Sequence, residues 1–229
     1  MKSSKVYKNI CNLSNKYINH HVDINVFGQE NLENIDGGIV AINHSGAGER
    51  SKDHLLVCSA FGIDIPLHFF VYSGIYRNPA LRFVLNQTKQ IPVNPGSFAS
   101  KINKECFKLA KEYLSRDDCV AIFPEGMSSN ILKRKQNGKK YYPGLGKLVI
   151  DSPTKPIIPV RVDVNSIDGG NFIIPDYNKA SVSIGEPYYF FKDMKNIEKY
   201  LFNEPGRKEM IEISKHIMEE KVHTLESLI

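Results

Sequence analysis

The sequence contains no long hydrophobic run. No stretch approaches the roughly 18 consecutive apolar residues that a membrane-spanning helix needs, and the longest apolar stretches, 63–71 and 156–164, are better explained as strands. Any contact with a membrane is therefore expected to be peripheral. Internal repeats and low-complexity segments are lacking as well, and a content of 41% hydrophobic and 24% charged residues is typical of a folded globular protein.

Closely spaced cysteines and a signal peptide are also absent. Cys11, Cys58, Cys106 and Cys119 are scattered, without the close pairs of a zinc knuckle or a redox motif. We therefore expect buried, free cysteines and a cytoplasmic protein. The net charge of +5 is modest, and acidic residues are interspersed with the basic ones. This distribution argues against nucleic-acid binding and is compatible with attraction to anionic lipid headgroups or to an acidic carrier.

What the sequence does contain is an alternation of short apolar runs and amphipathic segments. This pattern predicts a single α/β domain over residues 1–229, with a mostly parallel twisted sheet flanked by helices. The predicted strands cover residues 23–27, 38–42, 67–72, 91–93, 119–123, 156–164 and 181–185. Amphipathic helices are predicted over residues 1–21 and 205–228. Both are expected to pack on the domain, and the basic first helix has a lipid interface as its alternative location.

Two of the predicted strands end abruptly at polar clusters that contain an ionisable residue. Asn43-His44 follows the strand 38–42, and Pro124-Glu125-Gly126 follows the strand that ends at Phe123. The carboxyl ends of strands are where α/β sheets bind ligands. We therefore expect the functional site at these two strand ends.

His44 and a later acid form the candidate catalytic pair. An imidazole can remove a proton from a hydroxyl while a carboxylate fixes its tautomer, which predicts a general base with an orienting acid. Two acids are candidates: Asp53, at the start of an apolar helical run, with eight residues between it and His44, and Glu49, with four residues between. No metal site is predicted, because this spacing matches no recognised ligand pattern. The other six histidines are interpreted as structural.

At these residues the chain resembles the glycerolipid acyltransferases of the lysophosphatidic acid acyltransferase type. That family has four sequence blocks, and the chain has a counterpart of each, in the same order, between roughly residues 25 and 190. The counterparts are Asn43-His44 with Asp53, Ile91–Ser97, Phe123–Ser129 and Lys155–Val160. The long spacing after His44 is similar to a glycine-bearing insertion in monoacylglycerol acyltransferase-like relatives.

The resemblance implies transfer of a fatty acyl group from acyl coenzyme A or acyl carrier protein to a hydroxyl of a glycerolipid or related alcohol. The acyl donor is then a co-substrate, and no cofactor is expected. His44 would be the general base and Asp53 its partner, in a protein that is cytoplasmic or peripheral on the inner face of a membrane. For Glu125, the implied acceptor-binding role competes with a structural one, in which its carboxylate accepts hydrogen bonds from the next turn. The substrate-binding residues expected on this basis are Glu125, Gly126, Ser128, Ser129, Asn94, Lys133 and Arg134.

Two arginines common in this family are missing. Pro95 and Ser128 occupy the places where relatives often have an arginine that contacts the phosphate of the acceptor, and neither side chain can form a bidentate phosphate clamp. The basic segment around Lys133 and Arg134 is either a solvated loop or a replacement contact for a phosphate or a carrier protein. Two alternative functions stay open: a thioester or ester hydrolase that uses the same histidine, and a non-catalytic lipid-binding relative.

Overall fold

The computed structural model describes residues 5–45, 52–62, 64–94, 101–126, 141–165, 177–192 and 206–225. Its helices are α1 (Lys5–His21), α2 (Asp53–Phe61), α3 (Pro79–Gln87), α4 (Lys101–Ser115), α5 (Gly144–Asp151) and α6 (Arg207–Ile217). Its strands are β1 (Asp23–Phe27), β2 (Gly38–Ile42), β3 (Leu67–Tyr72), β4 (Ile91–Val93), β5 (Cys119–Ile122), β6 (Ile157–Val164) and β7 (Lys179–Ile184). Shorter elements are the 3₁₀ turns Gln29–Leu32 and Ser73–Arg77 and the π-helix Met218–Val222.

The seven strands form one sheet in the order β1-β7-β6-β2-β5-β3-β4. β6 and β7 run antiparallel, and every other neighbouring pair is parallel. The predicted α/β class with a mostly parallel sheet is confirmed. All seven predicted strands are present, with ends that shift by one or two residues. The assignment of the whole chain, residues 1–229, to one domain stays a prediction.

Helices cover both faces of the sheet. One hydrophobic cluster joins the sheet to α4, α5, α6 and the π-helix, and the other joins it to α1 and α2. β2 shows the division: Ile39 and Ala41 belong to the first cluster and Val40 and Ile42 to the second. All four are fully buried, which explains why this strand is continuously apolar rather than alternating. Because β2 is the fourth of the seven strands, its carboxyl end lies near the middle of one edge of the sheet.

Both predicted terminal helices are present over most of the residues that the structure describes. α1 buries Tyr7, Cys11 and Ile18 against the domain, as amphipathic helices usually do. At the other end, α6 begins at Arg207 and passes into the π-helix at Met218, rather than continuing as one α-helix to residue 228. None of the helices described in the structure is long and apolar enough to cross a membrane. All four cysteines are free, and three of them are buried.

Candidate active site

The parallel pairing of β2 with β5 brings the two predicted polar clusters together. Ala41 pairs with Ile122 at the end of both strands, so the residues that follow leave the sheet side by side. Asn43 is buried and extends the hydrogen bonding between β2 and β6 through its side chain. Its Oδ1 accepts from the amide of Val162 at 2.7 Å, and its Nδ2 donates to the carbonyl of the same residue at 2.9 Å. Asn43 thereby fixes the point at which His44 leaves the sheet.

His44 and Asp53 form the predicted pair. Nδ1 of His44 lies 3.2 Å from Oδ2 of Asp53, the first residue of α2, which is only 2% exposed. The same carboxylate oxygen accepts a hydrogen bond from the amide of Ser45 at 3.1 Å. These contacts fix the orientation of the imidazole relative to the start of α2. Glu49, the alternative acid, lies outside the described residues.

The residues that follow β5 also contact the His44 ring. The imidazole stacks on Phe123, with centroids 4.4 Å apart and planes at 12°, and its Nε2 is hydrogen bonded to the carbonyl oxygen of Gly126. Gly126 adopts a positive φ of 76°, and a Cβ there would lie 2.7 Å from the ring of Tyr142, so glycine is required. Both ring nitrogens of His44 therefore have a partner, Asp53 at Nδ1 and the Gly126 carbonyl at Nε2.

Glu125 bridges the site to the C-terminal part of the chain. Its Oε2 accepts from the amide of His44 at 3.1 Å, and its Oε1 lies 3.4 Å from Nε2 of His223. Burial by itself raises the pKa of Glu125, but the His223 imidazole and the His44 amide outweigh burial and hold that pKa below its usual range. The carboxylate is therefore ionised and connects two chain segments. The acceptor-binding role of Glu125 stays a prediction.

His223, which the sequence analysis interpreted as structural, is a neighbour of Glu125 that the sequence did not predict. It directly follows the π-helix Met218–Val222, and π-helices are frequent at functional sites. Arg161 of β6 holds this turn by donating to the carbonyls of His223, at 3.1 Å, and Leu225, at 2.7 Å. The same guanidinium is paired with Asp163. Nothing in the sequence pattern connects a C-terminal histidine to Glu125.

The remaining predicted site residues are placed less closely. Asn94 follows β4 at the same edge of the sheet, three strands away from β2. Its backbone is held by the buried Asn103, through contacts of 2.9 and 3.0 Å. Four predicted substrate-binding residues lie outside the described residues: Ser128, Ser129, Lys133 and Arg134. Of the seven predicted substrate-binding residues, Glu125 and Gly126 are those that the structure places against His44.

Comparison with known proteins agrees with this geometry. The family model described as Acyltransferase matches residues 23–163, more than half of the chain. The chain belongs to the acyltransferase family. The membership predicted from the four sequence blocks is confirmed, and the matched region contains the pair His44–Asp53 as well as Glu125.

A solved acyltransferase has a similar fold. The crystal structure of the 1-acyl-sn-glycerophosphate (LPA) acyltransferase PlsC from Thermotoga maritima matches with a TM-score of 0.58 and 18% sequence identity. The match covers 96% of this chain and 83% of that one. No curated protein matches the sequence significantly. At this identity the likeness shows a shared fold, and the chemistry has to be argued from the residues of this chain.

Proposed function

We propose that this acyltransferase-family protein moves a fatty acyl group from acyl coenzyme A or acyl carrier protein to a hydroxyl of a glycerolipid or related alcohol. The observation that carries the proposal is the contact between His44 and the buried Asp53 at the carboxyl edge of the sheet. The side chain of His44 is 15% exposed, so a substrate can reach it. The pairing leaves Nε2 as the nitrogen that faces the site.

The proposed reaction is a direct transfer. With the proton of the neutral His44 ring on Nδ1, facing Asp53, an acceptor hydroxyl takes the place of the Gly126 carbonyl at Nε2 and loses its proton to this nitrogen as its oxygen bonds to the thioester carbonyl carbon. Asp53 stabilises the imidazolium that forms. The tetrahedral intermediate then collapses, the carbon–sulfur bond breaks, and the proton on His44 passes to the leaving thiolate. The products are an ester and a free thiol, so the reaction needs no covalent acyl-enzyme and no cofactor.

The proposed substrate contacts lie around this pair. Glu125 and Gly126 line the site directly, and Asn94 lies along the same edge of the sheet. Ser128 and Ser129 continue the block that contains Glu125, and Lys133 and Arg134 are the basic groups proposed to meet phosphates of coenzyme A or an acidic carrier protein. Because Pro95 and Ser128 replace two arginines, we propose an acceptor that does not depend on a bidentate phosphate clamp. A cytoplasmic protein, peripheral on the inner face of a membrane, would meet both substrates.

The deciding experiment measures thiol release from a long-chain acyl coenzyme A and from the matching acyl carrier protein. Each donor is tested with and without a panel of glycerolipid and alcohol acceptors, on the wild type and on His44→Ala. Release that requires both an acceptor and His44, together with the esterified product, supports the proposal and names the acceptor class. Release without any acceptor would show a hydrolase instead. Binding of acyl ligand with no product from either donor would show a non-catalytic lipid-binding protein.

A further inference from the structure

The helix α3 leaves its apolar side uncovered. Leu81 and Val84 are one turn apart, and Phe83 lies beside them on the same half of the helix, opposite Arg82. Amphipathic helices normally bury such a face. Here none of the nine residues of α3 is buried, and Phe83 is 62% exposed. α1 contacts α3 but leaves Leu81, Phe83 and Val84 exposed.

The turn before α3 continues this surface. None of the residues in the 3₁₀ turn Ser73–Arg77 is buried, and Tyr72 and Ile75 are 44% and 39% exposed. We define the α3 patch as Tyr72, Ile75, Leu81, Phe83 and Val84. Five of the nine large hydrophobic residues that are exposed in the described structure lie in this one segment of the chain. Clustering of this kind marks an interaction site, whereas single exposed apolar residues need no explanation.

Polar contacts, rather than the patch itself, hold this segment in place. Asn78 caps α3 by accepting hydrogen bonds from the amides of Ala80, at 3.0 Å, and Leu81, at 3.2 Å, and Pro79 occupies the first turn, where proline is favoured. The hydroxyl of Tyr76 donates to the carbonyl of Gln90 at 2.8 Å. Because these contacts build the helix, the patch side chains are available to a partner without loss of the fold.

The charge around the patch has one sign. The forty residues from Ile65 to Lys104 contain five basic residues and no acidic one. The whole chain has 30 basic and 25 acidic residues, so this segment accounts for the entire net charge and the rest of the chain is balanced. Arg77 and Arg82 are exposed within the segment that forms the patch. The chemistry is that of an apolar surface bordered by cations, which is complementary to an anionic lipid surface.

We propose that the α3 patch docks the protein on an anionic lipid bilayer. Phe83 and its apolar neighbours enter the headgroup region, and Arg77 and Arg82 contact lipid phosphates. A symmetric contact with a second copy of the chain would instead bring the same arginines of both copies together without acidic partners. That repulsion favours the bilayer over self-association.

The position of the patch connects docking to the site. Tyr72 ends β3, and only β5 separates β3 from β2, so the patch starts about 10 Å, or two strand spacings, from the end of β2. Phe69 of β3 stacks on Phe123 with centroids 6.2 Å apart, and Phe123 stacks on His44. Aromatic contacts therefore connect β3, the strand that ends at the patch, to the imidazole. This step rests on the proposed function: a lipid acceptor would have only this short distance to cover between the docked bilayer and His44.

Vesicle co-sedimentation tests the docking directly, without turnover. The full chain is mixed with vesicles of phosphatidylcholine alone or of phosphatidylcholine containing phosphatidylglycerol. We expect binding to the anionic vesicles, a loss of about tenfold in the partition coefficient for Phe83→Ser, and a loss of about fivefold for each of Arg77→Gln and Arg82→Gln. Leu13→Ser on α1 is the matched control, because Leu13 is equally exposed, at 68%, and tests the alternative that α1 is the membrane element. It is expected to bind like the wild type.

Three results of the vesicle experiment would overturn the proposal. They are wild-type binding by Phe83→Ser, an equal loss in Leu13→Ser, and a wild type that binds neither kind of vesicle. A dimer in sedimentation velocity without lipid, dissociated by Phe83→Ser, would assign the patch to self-association and overturn it as well. Acyl transfer between water-soluble substrates separates this inference from the proposed function. If the substitution Phe83→Ser removes docking alone, the variant keeps that activity. If the proposed function is wrong, the wild type lacks that activity but still binds the vesicles.

Discussion

Two histidine–aspartate pairs in the described structure have similar contacts, and they lie at opposite ends of the parallel strands. In the first, Nδ1 of His44 is 3.2 Å from Asp53; in the second, Nε2 of His68 is 3.3 Å from Asp118. In each pair the second ring nitrogen faces a backbone carbonyl, and the ring stacks on an aromatic side chain. Geometry of this kind therefore does not by itself identify a general base.

The pairs differ in access and in position. His68 lies near the amino end of β3, its side chain is 3% exposed, and its ring is stacked on Tyr113 at 4.0 Å. His44 follows the carboxyl end of β2, and its side chain is 15% exposed. A substrate hydroxyl could reach His68 only if the surrounding residues unfolded, whereas His44 lies at the edge where α/β sheets bind ligands. On the proposed function, this difference favours a chemical role for His44 and a stabilising role for His68.

Replacement of His44 should give the largest effect. We expect His44→Ala to lower the rate of acyl transfer by about 10²- to 10⁴-fold, because the acceptor hydroxyl loses its general base. The variant also leaves the buried Asp53 carboxylate without its imidazole partner, so we expect a loss of about 1–3 kcal/mol of unfolding free energy as well, and the rates are compared at a temperature where both proteins are folded. Turnover is measured by thiol release with the best acceptor, and unfolding by circular dichroism. A near-normal rate in His44→Ala would remove the basis for treating the two pairs differently.

Asp53→Asn should have the next largest effect. The amide keeps the shape of the side chain but neither stabilises the imidazolium nor fixes the tautomer as a carboxylate does, so we expect a rate loss of roughly 10- to 10³-fold. Glu49→Gln is the matched control, because it removes the alternative acid and should leave the rate within about twofold of wild type. The reverse order of effects would make Glu49 the partner of His44.

His68→Ala should change stability rather than catalysis. It removes a buried ring from between Asp118, Tyr113 and the carbonyl of Lys89, and it leaves a buried carboxylate without this partner. We expect the free energy of unfolding to fall by about 1–3 kcal/mol, as measured by urea denaturation. The rate per folded molecule should equal that of the wild type at a temperature where both are folded. A rate loss comparable to that of His44→Ala would contradict the assignment.

The pair His44–Asp53 was predictable because both partners are marked by where elements start and stop. β2 is a continuous apolar run that ends at a polar cluster, and Asp53 precedes the apolar residues of α2. Asp53 was preferred to Glu49 because apolar residues follow it as they follow the aspartate of the family that the chain resembles, and the structure places it against the imidazole. The sheet was predictable for the same reason, since buried parallel strands are short and uniformly apolar.

Other features depend on contacts that periodicity does not encode. The pattern over residues 205–228 predicted one α-helix, but the chain widens to a π-helix at Met218, which changes the direction in which His223 projects. Its partner Glu125 is nearly a hundred positions away in the sequence. For α3, the 3.6-residue period shows which side chains share a face and cannot show whether anything covers that face. Long-range packing decides both.

His223→Ala should give the smallest effect. In the wild type, the neighbouring imidazole and the His44 amide hold the pKa of Glu125 below the usual value of 4.5. Because the folded-state pKa is lowered, the ionised carboxylate contributes stability that is complete above the unfolded-state pKa and is lost as the pH falls through the folded-state pKa. The variant should therefore lose less than about 1 kcal/mol of unfolding free energy at pH 6, and the difference from wild type should be smaller at pH 3. Urea unfolding at a series of pH values checks this prediction.

Glu125→Gln provides the control background, in which His223→Ala should have no pH-dependent effect. An equal difference at both pH values would mean that His223 stabilises the C-terminal turn by packing and does not lower the pKa of Glu125.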